Sequence, residues 1–227
     1  MLSSMADTGS EQQFESVFQR SPRKRRAKPA LSRDRIVGGT IALLDRDGAS
    51  ALTMRKVAAE LEVHATSLYW YVERREDLVD LAVDEILAGA ASALPGADVP
   101  WDLAIKEAAR RFYMALTEHT WAAEFAGSRP LLGPNAIALS RRIVEAIQGS
   151  GADEEGQAVM IRAVSNQILG AATSAVAMRV AKTDHPEGHE GAVSAAVAKA
   201  DALAVENTYF DQALDLILTG AEARLRG

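Results

Sequence analysis

Residues 52–72, LTMRKVAAELEVHATSLYWYV, constrain the fold more than any other part of the chain. Thr53 is placed to cap a helix, because a threonine hydroxyl ahead of an apolar run accepts from free backbone N–H groups of the first turn. Met54, Val57, Ala58 and Leu61 then recur at helical spacing and form one apolar stripe. The stripe stops at Glu62. A second short helix starts near His64 or Ala65 and puts Leu68 and Val72, four apart, on one face. Its other face carries Thr66, Ser67, Tyr69 and, near its end, Tyr71. Small hydroxyls and tyrosines are poor core material but hydrogen-bond well to base edges and phosphates. The pattern predicts a helix-turn-helix whose second helix enters the major groove of double-stranded DNA.

A net charge of −6 argues against a nucleic-acid partner until it is mapped along the chain. Residues 20–80 hold thirteen Lys and Arg against nine Asp and Glu, whereas residues 81–227 hold twelve against nineteen. The basic surplus coincides with the helix-turn-helix, and a polyanion responds to a local basic face rather than to the total. Residues 1–31 are polar, lack an apolar period and read as a disordered basic arm. Their run RSPRKRRAK contains Arg23, Arg25 and Arg26. Two readings stay open for it: a solvated tail, or an arm that tracks phosphates or enters the minor groove.

The remaining periodicity is helical. Ser32 caps a helix to about Asp47 with Ile36, Val37, Thr40, Ile41 and Leu44 buried, and Gly48 ends it. Gly38 and Gly39 inside it call for a close helix crossing. Asp45-Arg-Asp47-Gly48 resembles the start of a calcium loop, but the Glu at loop position 12 is missing, so it reads as a helix end. Further helices are expected over 76–92, 101–119, 135–148, 153–182, 193–200 and 208–226. Residues 120–134 read as an irregular link and 185–191 as a polar loop. No strand pairing is visible, so the fold class is all-α. A helix-turn-helix domain spans 32–80, and a helical ligand-binding and dimerisation domain spans 81–227. There are no cysteines, which excludes disulfides and thiolate chemistry. The first residues lack the order of a signal peptide, so a cytoplasmic location is the default.

Residues 153–182 are the most apolar stretch, yet Arg162, Asn166, Gln167 and Arg179 argue against a membrane span. The small-sided run from Gly170 to Ala175 lets another helix approach closely. With 208–226 it is read as the interface of a homodimer, four helices from two chains. A cavity between the middle helices would be lined by Phe112, Tyr113, Leu116, Trp121, Phe125, Leu131, Leu132, Ile143, Ile147, Asn166 and Gln167, with Gly170 and Ser174 also counted among ligand-facing positions. For each apolar member, ordinary core is the competing reading. His119 is a pocket donor or a surface histidine. Catalysis has little support: there is no G-x-S-x-G, glycine-rich phosphate loop or H-E-x-x-H, and His185 and His189 flank Pro186 and Gly188 in a loop. No cofactor, metal ion or catalytic residue enters the reading.

Ile41 to Leu44 (IALL), Gly48, Leu52 to Leu61 (LTMRKVAAEL), Ser67 to Val72 (SLYWYV) and Asp77 to Val79 resemble the tetracycline-repressor (TetR) family of transcriptional regulators. Phe125 to Pro130 (FAGSRP) and Tyr209 to Gly220 (YFDQALDLILTG) are similar to the branch nearest the tetracycline repressor. The resemblance implies a homodimer that binds a palindromic operator as a repressor and is released when a small molecule fills the helical core. By position it assigns Thr66, Ser67, Tyr69 and Tyr71 to DNA, with His64 and Ala65 at the leading end of the recognition helix. It assigns Met54 and Arg55 to bases or phosphate, and Arg75 to phosphate. Tyr69 is assigned to phosphate and Trp70 to packing. Glu62 stands where many relatives have glycine, so a turn of slightly different shape is expected. Phe125 stands where the tetracycline repressor has a histidine on drug-bound magnesium, and Ser174 where a carboxylate reaches that metal through water. The implied effector is therefore a small apolar or aromatic molecule rather than a magnesium–tetracycline chelate. The alternatives are a small-molecule-modifying all-α enzyme and a DNA-binding protein without effector control.

Overall fold

The computed structural model describes Val17–Gln19 and residues 31–94, 96, 98–184 and 207–226, and no strand occurs among them. The chain is all-α, as its periodicity requires. Helices α1 (Arg33–Asp47), α2 (Met54–Glu60) and α3 (Ala65–Leu68) form a small unit, and α4 (Arg75–Ile86) leads out of it. The larger part comprises α5 (Ala88–Ser92), α6 (Trp101–Glu118), α7 (Ala122–Ser128), α8 (Pro134–Gln148), α9 (Glu154–Asp184) and α10 (Asn207–Arg226). Arg23, Arg25, Arg26, the loop at 185–191 and the helix expected at 193–200 lie outside the described residues.

Helix α1 starts where Ser32 Oγ accepts from Arg35 N at 3.1 Å. It buries Ile36, Val37, Thr40, Leu43 and Leu44. Leu43 therefore takes the inward place expected of Ile41, which is only half-buried. Thr40 is tolerated inside because its hydroxyl donates to Ile36 O at 2.8 Å. The close crossing expected at the glycine pair is found at Gly39 alone. A Cβ there would lie 2.6 Å from Leu61 Cδ2, whereas one on Gly38 would meet nothing within 4 Å. Gly48, with φ 76°, adopts the left-handed conformation that ends the helix. Of residues 1–31, Val17–Gln19 forms a short 3-10 turn, with the Arg33 guanidinium 5.7 Å from the Phe18 ring centre.

Two expected elements differ. The single helix over 76–92 is divided at Leu87, a fully buried turn residue between α4 and α5. The irregular link 120–134 contains α7, whose Ala122, Ala123 and Ala126 are buried. Gly127 lies inside that helix, while Pro130, Gly133 and Pro134 follow it, so most of the breakers belong to one end of the segment.

In the larger part α6 packs against α8, α9 and α10. Helix α9 is 31 residues long, about 46 Å. Tyr113 of α6 stacks on Phe210 of α10, with ring centres 4.2 Å apart and planes 8° from parallel. Helix α4 is keyed into this part by Asp84. Its Oδ1 accepts from Asn135 N (3.0 Å) and Ala136 N (3.1 Å), capping the first turn of α8, and its Oδ2 accepts from Asn135 Nδ2 (3.0 Å). Gly133 allows that approach, since a Cβ there would lie 2.1 Å from Asp84 Oδ1. Among the described residues no helix is long and apolar enough to cross a membrane.

Candidate nucleic-acid interface and ligand cavity

The helix-turn-helix is assembled from its own backbone and several charged side chains. Thr53 Oγ1 accepts from Lys56 N at 3.1 Å, which starts α2. Val57, Ala58, Leu61, Leu68 and Val72 fill the inside. Helix α2 ends with Val63 N donating to Ala58 O at 2.9 Å, and Glu62 between them has φ 54°. The turn keeps the left-handed geometry that glycine supplies more cheaply; the glutamate adopts it instead of reshaping it. Arg35 Nη2 donates to Leu61 O at 2.8 Å and fastens α1 to the end of α2. Buried Asp77 accepts from Glu73 N at 2.7 Å and from Arg74 N at 3.3 Å, which orders the entry to α4.

This frame presents Arg55, His64, Thr66, Tyr69 and Trp70 outward. Met54, Ala65 and Ser67 are half-buried at its edge. Trp70, assigned to packing, is 77% exposed and Tyr69 48% exposed. That corrects the assignment of Trp70: the apolar face at this point is already closed by Leu68 and Val72. Tyr71 and Arg75 have internal work. The Tyr71 hydroxyl donates to Leu31 O, ahead of α1. Arg75 Nε donates to Leu52 O and its Nη2 to Ala49 O, both at 3.0 Å. Arg75 thus joins the start of α4 to the turn preceding α2.

Four contacts connect this unit and α4 to the larger part. Asp45 Oδ1, near the end of α1, receives Trp121 Nε1 and lies against His119 Nδ1, each at 2.7 Å. The Arg75 guanidinium lies 6.0 Å from the Phe125 ring centre. Arg129 Nε donates to Asp80 Oδ1 at 3.0 Å. The fourth contact is the Asp84 cap on α8. Burial pushes the Asp84 carboxyl above its ordinary range, against the lowering effect of the Ala136 and Asn135 hydrogen bonds and the Arg33 charge.

A partly open cavity of about 260 Å³ lies between α6, α7, α8 and α9. Its walls are mainly apolar, with Phe112, Leu131, Ile143 and Ile168 among them, and its polar groups are Ser140, Ser165 and Arg129. Of the residues named from sequence, Phe112, Leu131 and Ile143 line it. Phe125 and Leu132 line a smaller gap of about 10 Å³ against α4. The others are placed elsewhere. Leu116 and Ile147 are ordinary core with no exposed surface. Tyr113 is held under Phe210, where burial pushes its hydroxyl up. His119 and Trp121 serve the contact with Asp45. Asn166, Gly170 and Ser174 are exposed on α9, and Gln167 is half-buried with its amide nitrogen lacking a hydrogen-bond partner. Asn166 is thus not the buried amide expected of it. Ile161, Ser165, Ile168 and Leu169 face the cavity instead, a stripe at three- and four-residue spacing that marks a face without saying which neighbour it meets. Among the described residues no group of three or more His, Cys, Asp or Glu gathers in a metal-binding cluster.

A helix-turn-helix joined by one helix to a larger helical part that holds a cavity defines a class of transcriptional regulators. The family model described as "Tetracyclin repressor-like, C-terminal domain" matches residues 94–225. The chain belongs to the TetR family of transcriptional regulators. It is 38% identical over 159 residues to an HTH-type transcriptional regulator of Saccharopolyspora erythraea, covering 70% of this chain and 66% of that protein. It is 31% identical over 147 residues to the HTH-type transcriptional repressor DrrR1 of Streptomyces coeruleorubidus, covering 65% of this chain and 54% of that one. The matches therefore span between about half and two thirds of these relatives' lengths. The Streptomyces coelicolor TetR family protein ActR, solved in complex with (S)-DNPA, superposes with a TM-score of 0.67 at 27% identity, covering 86% of this chain and 98% of that one.

Proposed function

We propose that the protein is a homodimeric repressor that binds a palindromic operator and is released when a small apolar or aromatic molecule fills the 260 Å³ cavity. The observation that carries this reading is one continuous set of contacts. Thr66, Tyr69 and Trp70 are presented outward by a frame fixed to α4. Helix α4 is in turn held by Arg129, which lines the cavity, and by the first turn of α8. A ligand that displaces the 129–135 segment changes the angle at which the recognition helix is offered. Thr66 and Ser67 read base edges, while Tyr69 and Arg55 hold phosphate.

The dimer reading is supported by α9 and α10. Val159, Val180, Leu216 and Leu225 are large apolar side chains left exposed on these two helices, Leu216 by 77%. A groove of about 620 Å³ runs between the start of α9 and the end of α10, with Val159, Ile217 and Leu225 in its walls. Packing the same pair of helices from a second copy against them would cover these groups with a four-helix contact. A dimer also supplies the second recognition helix that a palindrome needs.

The test is a gel shift with the DNA upstream of the protein's own gene, at moderate salt. The expected result is retention at protein concentrations well below those that shift a random duplex of equal length. Equal retention of both duplexes overturns the reading.

A further inference from the structure

Arg129 stands between two cavities. With Pro130 and Leu131 it lines both the 260 Å³ cavity and the narrow gap of about 10 Å³ that reaches Asp80, Asp84 and Phe125. It is the only charged residue among those lining the larger cavity. Its guanidinium meets Asp80 of α4 with both Nε and Nη2 at 3.0 Å from one carboxylate oxygen. The pair is largely removed from water, with side-chain exposures of 18% for Arg129 and 8% for Asp80. The other polar groups of the larger cavity are hydroxyls, Ser140 on α8 and Ser165 on α9.

We infer that the effector is an anion, an aromatic carboxylate of one to three rings, whose carboxylate takes the Arg129 guanidinium from Asp80. This rests on the reading of the cavity as the effector site. A guanidinium binds a planar carboxylate through two parallel hydrogen bonds, and a competing ligand carboxylate has the same shape and charge as the aspartate it displaces. The apolar walls take the rings, and the two serines complete the polar contacts. No carboxylate lines this cavity, so a cationic ligand has no counter-charge there. At about 260 Å³ it lies just below the range of about 300–1,000 Å³ usual for small-molecule sites, which favours compact planar ligands. The exchange is also directional. It takes the Arg129 guanidinium from a largely buried carboxylate on α4, which raises the cost of keeping that charge away from water. Helix α4 carries Asp80, so the exchange bears on the helix that holds the recognition unit.

The experiment uses the full chain and a panel of benzoate, 2-naphthoate and anthraquinone-2-carboxylate, each paired with its neutral primary amide. Binding is measured by calorimetry on the wild type, Arg129→Gln and Asp80→Asn, with a melting curve recorded for each variant. At least one acid is expected to bind the wild type about tenfold or more tightly than its amide, since a charge-assisted pair is worth about 1.5–3 kcal/mol. Arg129→Gln removes that preference. Asp80→Asn, which no longer competes, increases the acid's affinity several-fold. Failure of every acid to outbind its amide overturns the inference, as does a preference that survives Arg129→Gln. An acid that binds through Arg129 but leaves retention of the upstream DNA unchanged supports the anion site and overturns effector-controlled release. Retention reduced by the amides and acids alike supports the release and overturns the anion.

Discussion

The indole N–H of Trp121 donates to Asp45 Oδ1 at 2.7 Å, across 76 residues of sequence. His119 Nδ1 meets the same oxygen at the same distance. The turn after α6 is thereby held against the last turn of α1. The contact is partly exposed, so its contribution to stability is smaller than that of a buried pair. Its effect is to limit how far α1 moves from the larger part.

Asp45→Ala is expected to lower stability by about 1 kcal/mol. More diagnostic is local opening. Amide hydrogen exchange in residues 43–48 should speed up, while exchange in the middle of α9 stays as in the wild type. Unchanged protection at the end of α1 would show that the aspartate restrains nothing.

On the proposed reading the outward residues divide by role. Tyr69→Ala and Trp70→Ala should each weaken retention of operator and random DNA alike, because phosphate and sugar contacts carry no sequence information. Thr66→Ala should change which operator variants are preferred and leave random DNA binding as it was. Trp70 is 77% exposed, so its removal should shift stability by no more than about 0.5 kcal/mol. Binding data across a set of single-base operator variants distinguish the two kinds of loss.

Glu62 has φ 54° in an exposed turn. A side chain in this conformation is strained, and glycine relieves the strain at some cost in unfolded-state entropy. Glu62→Gly is expected to stabilise the protein by about 0.5–1 kcal/mol, which at this chain length raises Tm by about 1–4 °C. Glu62→Ala keeps the strain and should give no such gain. Equal Tm changes for the two variants would assign the effect to lost charge.

Asp84 gives a pH signature. Burial raises its carboxyl above the ordinary 3.8. Between that value and the raised one, the folded chain holds a proton that the unfolded chain has released. The stability this contributes is complete below the unfolded value and is lost as pH rises through the folded one. Wild-type stability measured relative to Asp84→Asn should therefore fall with rising pH in that window. The variant also turns an amide N–H toward Asn135 Nδ2, a constant penalty of about 1 kcal/mol that does not alter the slope. A flat or rising difference would contradict the raised carboxyl.

The parts of the site that were legible in sequence are those set by neighbours along the chain. The apolar stripe of Met54, Val57, Ala58 and Leu61 and the Thr53 cap are local, and the backbone follows them; a glutamate at position 62 pointed to a reshaped turn, yet Glu62 adopts φ 54°. The roles of single polar residues were less legible. Tyr71 and Arg75 carry groups suited to phosphate, yet their polar atoms donate to Leu31 O and to the Leu52 and Ala49 carbonyls. Trp70 looked like core by residue type and is outside, because Leu68 and Val72 already fill the face that packs.

The sequence by itself determined an all-helical chain with a helix-turn-helix near its amino-terminal end, because helical period, caps and breakers act over a few residues. Only the tertiary structure decided what joins the two parts. Asp45 meets Trp121, Asp80 meets Arg129, and Asp84 caps α8, over separations of 76, 49 and 52 residues. It also decided that Phe112, Leu131 and Ile143 line the cavity while Leu116 and Ile147 are plain core. All five are apolar; four lie on helices and Leu131 on the link between α7 and α8. What separates them is which neighbouring helix each one faces, and that depends on how α6, α7, α8 and α9 cross, not on any residue's own surroundings in the chain.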